Sequence, residues 1–283
     1  MPLIVNSNLA SLNAQRNLNA TSTNLASSLQ RLSSGLRVNS AKDDAAALGI
    51  AEGLTSAIRG GNQAVRNAND GISMSQTVEG ALGEIGNNLQ RIRELAVQSS
   101  NASVSDTNRS QLQREVDQLT QEISRIIQTT EFNGKLLLSG SASLNFQVGY
   151  SGNSTNQVTV TTTDLASAGA GGLFAYSSLT NTGTINLTSQ SGASGSLNNI
   201  DADIAKVSNL RAQFGAVQNR FDAVISNLSN YVENLSASKS RLIDADFAHE
   251  TAQLTRNQIL QQAGTAILAQ ANTLPQSAMS LLR

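Results

Sequence analysis

The apolar residues of this chain recur at alternating steps of three and four, with polar residues between them. That spacing places apolar side chains on one face of a helix and is typical of helices packed in coiled coils and bundles. The pattern predicts a mainly α-helical protein. The longest runs are Val78, Leu82, Ile85, Leu89, Ile92 and Ala96; Leu112, Val116, Leu119, Ile123 and Ile126; and Leu210, Phe214, Val217, Phe221, Val224, Leu228, Tyr231 and Leu235.

Both ends of the chain carry sparser apolar rows that repeat every seven residues. Two such helices would form a narrow unit whose flanks stay uncovered, so we expect each end to be buried against the other and against further copies of the chain. Gly264 and Ala271 each follow a leading apolar residue of the C-terminal row by four positions. The residues predicted as a polymerisation seam are Leu18, Leu25, Leu29, Leu32 and Leu36 near the N-terminus, and Leu260, Ile267, Leu274 and Leu281 near the C-terminus.

Between the helical parts the pattern changes. The polar stretch around residues 99–108 joins two apolar runs and predicts an antiparallel helical hairpin. Alternation at 144–150 and 156–163 predicts short strands of a β-hairpin, preceded by a turn at Asn133–Gly134. Asn39 or Ser40 could cap the helix that follows residues 38–44.

These boundaries predict three parts. Residues 1–44 with 240–283 form a terminal coiled-coil polymerisation domain, and 45–165 with 197–239 form a helical bundle with β-hairpins. Residues 166–196, rich in Gly, Ser, Thr and Asn, form a short variable exposed loop or hairpin.

The composition favours narrow apolar contacts between paired helices over one large core, because aromatic residues make up only 3% and Trp is absent. A formal net charge of -1 gives no electrostatic case for nucleic acid, and no apolar run predicts membrane insertion. Without Cys there is no thiol chemistry, and the N-terminus lacks the features of a cleaved secretory signal. Taken alone, these features describe a cytosolic protein.

Candidate catalytic or metal-binding residues are few. His249 lies near Asp244, Asp246 and Glu250, but no second His or Cys completes a usual transition-metal set, so a polar surface is the preferred interpretation. Asp43 and Asp44 lack an accompanying nucleophile or base and suit a helix start. We therefore predict no enzyme activity, no metal and no cofactor.

Six strings, in order along the chain, resemble bacterial flagellin. The resemblance covers about the first 165 and last 85 residues. The strings are QRLSSGLRVNSAKDDAA (30–46), RNANDGIS (66–73), LQRIRELAVQS (89–99), FNGKLLL (132–138), GAVQNRF (215–221) and QILQQAGTAILAQANTLPQ (258–276).

The resemblance implies a flagellar filament subunit that is exported through the flagellar type III apparatus without a cleaved signal peptide, which replaces the cytosolic interpretation. It implies a homopolymer whose terminal helices, disordered in the free subunit, become ordered in a hollow tube. It also implies an export chaperone, cap proteins and hook-junction proteins as partners. The middle of this chain is shorter than in larger flagellins.

Receptor binding is a further implication of the resemblance. In similar flagellins, the positions that bind the host Toll-like receptor 5 match Arg91, Leu95 and Glu115 of this chain. Spacing alone does not distinguish a binding patch from an ordinary helix surface at these positions. Two alternatives stay open. One is a hook-filament junction protein, and the other is a secreted enzyme on a flagellin scaffold, which the absence of a His-Glu-X-X-His motif disfavours.

Overall fold

A computed structural model of the chain describes residues 7–166 and 185–281, with side chains up to residue 273. The chain divides into two compact units. Unit 1 comprises Met1–Ile58 with Glu233–Arg283, and unit 2 comprises Arg59–Val232. These units are defined by contacts within the chain. The predicted division at residues 44 and 240 concerns which residues join copies of the chain, and it stays a prediction.

Five long helices dominate the described residues, which confirms the mainly α-helical class. They are α1 (Leu9–Ser34), α2 (Ala45–Ser99), α3 (Asp106–Thr129), α4 (Gln190–Ile243) and α5 (Phe247–Leu281). Ser105 caps α3 by accepting a hydrogen bond from the backbone N–H of Asn108, so the polar stretch after α2 ends one helix and begins the next. The α5 helix continues through Pro275.

The β region consists of two antiparallel pairs: β1 (Glu131–Phe132) with β2 (Lys135–Leu136), and β3 (Ser143–Gln147) with β4 (Gln157–Thr161). The predicted turn joins β1 to β2, and Asn133 and Gly134 both have positive φ, at 50° and 74°. That conformation suits the Asn-Gly sequence of a tight hairpin turn. In the second pair, Val158 and Val160 face the core of unit 2.

Unit 2 has one continuous apolar core formed by α2, α3, α4 and the β region. All six residues of the predicted run from Val78 to Ala96 are fully buried. Phe214 and Phe221 of α4 are also buried, and the Phe221 ring packs edge-on against Phe146 with centroids 5.5 Å apart. This contact packs α4 against the β region within the core.

On α3 the buried face is rotated slightly from the predicted one. Thr120 and Ile127 are buried, whereas the predicted Leu119 and Ile126 are only partly buried. Thr120 tolerates burial because its hydroxyl donates to the carbonyl oxygen of Val116, 2.7 Å away.

Two predicted boundaries differ from the structure. Residues 185–196 do not form an exposed loop: Leu187 is fully buried and α4 begins at Gln190, because Ala193 and Ile200 join the apolar core. The rest of the predicted loop, 167–184, lies outside the described residues. The cap of α2 is Asp44, not Asn39 or Ser40, since its carboxylate accepts from the N–H of Ala47 at 2.9 Å.

Unit 1 contains α1, α5, the first part of α2 up to Ile58 and the last part of α4 from Glu233, with the segments that connect them. Its small apolar cluster consists of Val38, Ala47, Ala51 and Ile243. The backbone N–H of Arg37 donates to the carbonyl oxygen of Ile243 at 2.7 Å, and that of Ala245 donates to Gly35 at 2.9 Å. These bonds connect the end of α1 to the segment between α4 and α5.

Candidate functional surfaces

The α1 and α5 helices of unit 1 pack antiparallel along their lengths. The side-chain amide of Asn8, which also caps α1, donates to the carbonyl oxygen of Ala271 at 2.8 Å. Farther along, Leu18 packs on Gly264 so closely that a Cβ at Gly264 would lie 3.1 Å from Leu18 Cδ1. A guanidinium nitrogen of Arg31 then lies 3.9 Å from the Glu250 carboxylate.

The residues at this helix pair are mostly small or polar. On both helices the less exposed positions follow steps of three and four, and large apolar side chains occupy a minority of them. Small residues let helix backbones approach closely but bury little apolar area. On α1 the set is Ser11, Ala14, Leu18, Thr21, Leu25, Ser28 and Leu32; on α5 it is Glu250, Leu254, Asn257, Gln261, Gly264, Leu268 and Ala271.

The structure separates the predicted seam into two groups. Leu18, Leu25 and Leu32 are half-buried on the face toward α5, and Leu36 packs on the small cluster of unit 1. Leu29, Leu260 and Ile267 are instead exposed, with Ile267 at 59%. Gly264 and Ala271 contact α1 in their place. The side chains of Leu274 and Leu281 lie outside the described residues.

Large exposed apolar side chains concentrate in unit 1. Among the residues whose side chains the structure describes, eight of the eleven belong to it, although it is the smaller unit. Isolated exposed apolar residues are ordinary, whereas a concentration in one unit indicates a contact surface. Seven of the eight lie on α1 or α5, and Ile50 lies on α2. The eight are Leu9, Leu12, Leu29, Ile50, Phe247, Ile259, Leu260 and Ile267.

The predicted receptor residues lie on α2 and α3 of unit 2. The Arg91 guanidinium is 2.8 Å from the Glu115 carboxylate across the two helices and 2.9 Å from Glu94 on its own helix. The hydrogen bonds that Arg91 donates to the carboxylates of Glu94 and then of Glu115 raise the pKa of Arg91 above its ordinary value. Leu95 does not share this surface, since it is 1% exposed and belongs to the core.

The acidic residues considered for catalysis have structural contacts instead. The Asp246 carboxylate accepts from the N–H groups of Ala248 and His249 at the start of α5. Asp43 accepts from the hydroxyl and N–H of Ser40 and from the N–H of Asn39, which lowers the pKa of its carboxyl. Within the described ranges no cluster of His, Asp and Glu is arranged to hold a metal ion.

No helix in the described part of the chain has an apolar stretch long enough to cross a membrane. The fold and its surfaces define a helical protein with uncovered apolar side chains on its terminal helices.

Comparison with known proteins gives the family. The bacterial flagellin N-terminal helical region matches residues 5–143, and the bacterial flagellin C-terminal helical region matches residues 197–282. A flagellin of Halalkalibacterium halodurans is 42% identical over 282 residues, covering 99% of this chain and 100% of that protein. A flagellin of Bacillus subtilis is 40% identical over 304 residues, covering 99% of both chains.

Among solved structures, a putative flagellar hook-associated protein from Vibrio parahaemolyticus has a TM-score of 0.58 at 17% identity, covering 71% of this chain and 100% of that one. At that identity the likeness concerns the fold alone.

This chain belongs to the bacterial flagellin family. It is a structural subunit of the flagellar filament, located outside the cell, and not an enzyme.

Proposed function

We propose that α1 and α5 make the contacts between copies of this chain in the filament, with Leu29, Leu260 and Ile267 covered by neighbouring copies. The observation that carries this proposal is the concentration of exposed apolar side chains in unit 1. Covering a large apolar side chain contributes about 1.5–3 kcal/mol, and each copy would supply several. In this proposal residues 1–44 with 240–283 form the polymerisation domain.

Ile267→Glu tests the proposal, because it would place an unpaired charge in the contact, which is strongly unfavourable. Thr265→Glu is the matched control, since it adds the same charge to an exposed polar position on the same helix. We expect long filaments by electron microscopy from the wild type and Thr265→Glu, and none from Ile267→Glu. Normal filaments from Ile267→Glu would exclude this residue from the contact.

We also propose recognition of the unassembled subunit by Toll-like receptor 5 through Arg91 and Glu115. Both side chains are about half-exposed and hold each other in place across α2 and α3, so the surface is presented in one arrangement. Because Leu95 is buried, we assign it the role of supporting α2 beneath this pair. This assignment differs from the prediction that Arg91, Leu95 and Glu115 all contact the receptor directly.

A reporter cell line that expresses the receptor tests this proposal with Arg91→Ala and Glu115→Ala. Each change should lower potency by about tenfold or more, the size expected when an interfacial charged group is removed. Arg125→Ala, which breaks a comparable exposed pair with Glu122 on α3, should leave potency unchanged. A silent wild type, or equal potency for all variants, would contradict receptor binding by this pair.

The remaining partners follow from the same family. We propose that an export chaperone, cap proteins and hook-junction proteins bind this chain. We also propose that the type III apparatus exports it without cleavage. Residues 7–11, which include the α1 cap Asn8, would then be present in the filament subunit. Mass spectrometry of filament subunits tests the export step. A hook-filament junction role, in which the chain would cap a ring and not polymerise indefinitely, is the alternative. Short rings instead of long filaments would favour that alternative.

A further inference from the structure

A polar cleft lies between α1 and α5 within unit 1. Its volume is about 420 Å³, and Arg31, Arg37, Asp246, His249 and Glu250 contribute its charged or titratable side chains. A water molecule takes up about 30 Å³ in the liquid, so the cleft is large enough for a side chain from outside. All of its lining residues belong to unit 1.

Two of the cleft's charges are already engaged locally. The Asp246 carboxylate accepts hydrogen bonds from the start of α5, and the Arg37 guanidinium donates to the carbonyl oxygen of Leu242. Arg31 and Glu250 therefore remain as the pair of opposite charges available to a group that enters the cleft.

This pair is close but incomplete. The Glu250 side chain is 9% exposed, and 3.9 Å separates it from Arg31 Nη1, which is too long for a hydrogen bond. Arg31 Nε is buried and has no hydrogen-bond partner among the described residues. A donor group that is only partly paired is costly, so an acceptor that enters the cleft and reaches the exposed part of the Arg31 side chain, which is 36% exposed, would stabilise the site.

The group that completes the pair must be neutral and must both accept and donate. An added carboxylate or ammonium would leave an unbalanced charge beside the existing pair. A carboxamide has a carbonyl oxygen for Arg31 and an NH₂ group for Glu250 on two different atoms. Exposed carboxamides are present on the outer faces of both terminal helices: Gln15, Asn19, Gln258 and Gln262.

We propose that the cleft is a socket for an Asn or Gln side chain of a second copy of this chain, which bridges Arg31 and Glu250 in the filament. The inference rests on the proposed assembly through α1 and α5. It adds a polar, directional contact that can fix the register between copies, as single buried polar residues do in coiled coils.

The substitution Arg31→Lys tests whether the socket needs the hydrogen bonds of arginine or only the ion pair with Glu250. Lysine keeps the positive charge opposite Glu250 but loses the Nε–H and the planar fork. We expect Arg31→Lys and Arg31→Ala each to raise the critical concentration for filament growth by about tenfold or more, the equivalent of one hydrogen bond to a charged group. The control Arg16→Ala, on an exposed arginine of the same helix, should match the wild type.

Wild-type behaviour of Arg31→Lys would overturn the socket, because the ion pair alone would then suffice. An unchanged critical concentration for Arg31→Ala would overturn it as well. Failure of the wild type to assemble would instead contradict the proposed function. The melting of unit 2, followed by circular dichroism, shows that unit 2 of each variant is folded.

A thiol placed at the cleft gives a second measurement. The chain has no cysteine, so Ser27→Cys, in the cleft lining, introduces a single reactive group. Its reaction with a maleimide should be slower in filaments than in unassembled chain, on the order of tenfold or more. An equal rate in both states would show that the cleft stays open and would overturn the proposal.

Discussion

Gly71 and Phe221 determine how closely α4 approaches α2 in the core of unit 2. A Cβ on Gly71 would lie 2.5 Å from Phe221 Cζ, and the ring is fully buried with Phe146 against it. The ring cannot move aside without disturbing the β region. Gly80, in the same helix, has open space where a Cβ would be.

We therefore predict opposite effects for the same substitution. Gly71→Ala should lower the free energy of unfolding by about 1–3 kcal/mol through overpacking. Gly80→Ala should raise it by up to about 1 kcal/mol, because alanine is the better helix former. Urea titration of the two variants measures both values. Equal stabilisation by the two changes would mean that Phe221 can move freely.

The helices of unit 2 show which elements a sequence pattern can define. On α2 the buried run was predicted correctly because large apolar residues occupy each position of it. On α3 the buried face was placed slightly off, since a threonine that satisfies its own hydroxyl takes a core position. The start of α4 was missed because small residues such as Ala193 form its first turns.

For α5 the apolar pattern predicted the helix correctly, but it did not predict which residues face α1. Gly264 and Ala271 contact α1, whereas the larger Leu260 and Ile267 do not. A residue that is buried only against a second copy, as we propose for Leu260 and Ile267, is exposed in the single chain. Likewise, the resemblance to flagellins singled out Arg91, Leu95 and Glu115 together, and it gave no sign that Leu95 is buried.

Removal of the second half of α5 tests this element. A chain that ends after Ala263 lacks Gly264, Leu268 and Ala271, which face α1. We expect unit 2 to melt as in the full chain, because its core contains none of these residues, and we expect filaments to be absent. If electron microscopy shows that the shortened chain still extends filaments, α5 beyond residue 263 is not a polymer contact.

At the scale of the whole molecule, the two units differ in how much apolar surface they bury. Unit 2 has a core of many large residues, whereas unit 1 has a four-residue cluster and a helix pair in which small or polar residues outnumber the leucines. Paired helices with so little apolar burial are marginal by themselves in water. We infer that unit 1 depends on neighbouring copies for its stability.

Amide hydrogen exchange on dilute subunits and on filaments tests that dependence most directly, because it reports the opening of each helix separately. We predict that amides of α1 and α5 exchange rapidly in dilute subunits and are protected in filaments, while those of residues 78–96 are protected in both. Strong protection of α1 and α5 in dilute, unassembled subunits would contradict the account.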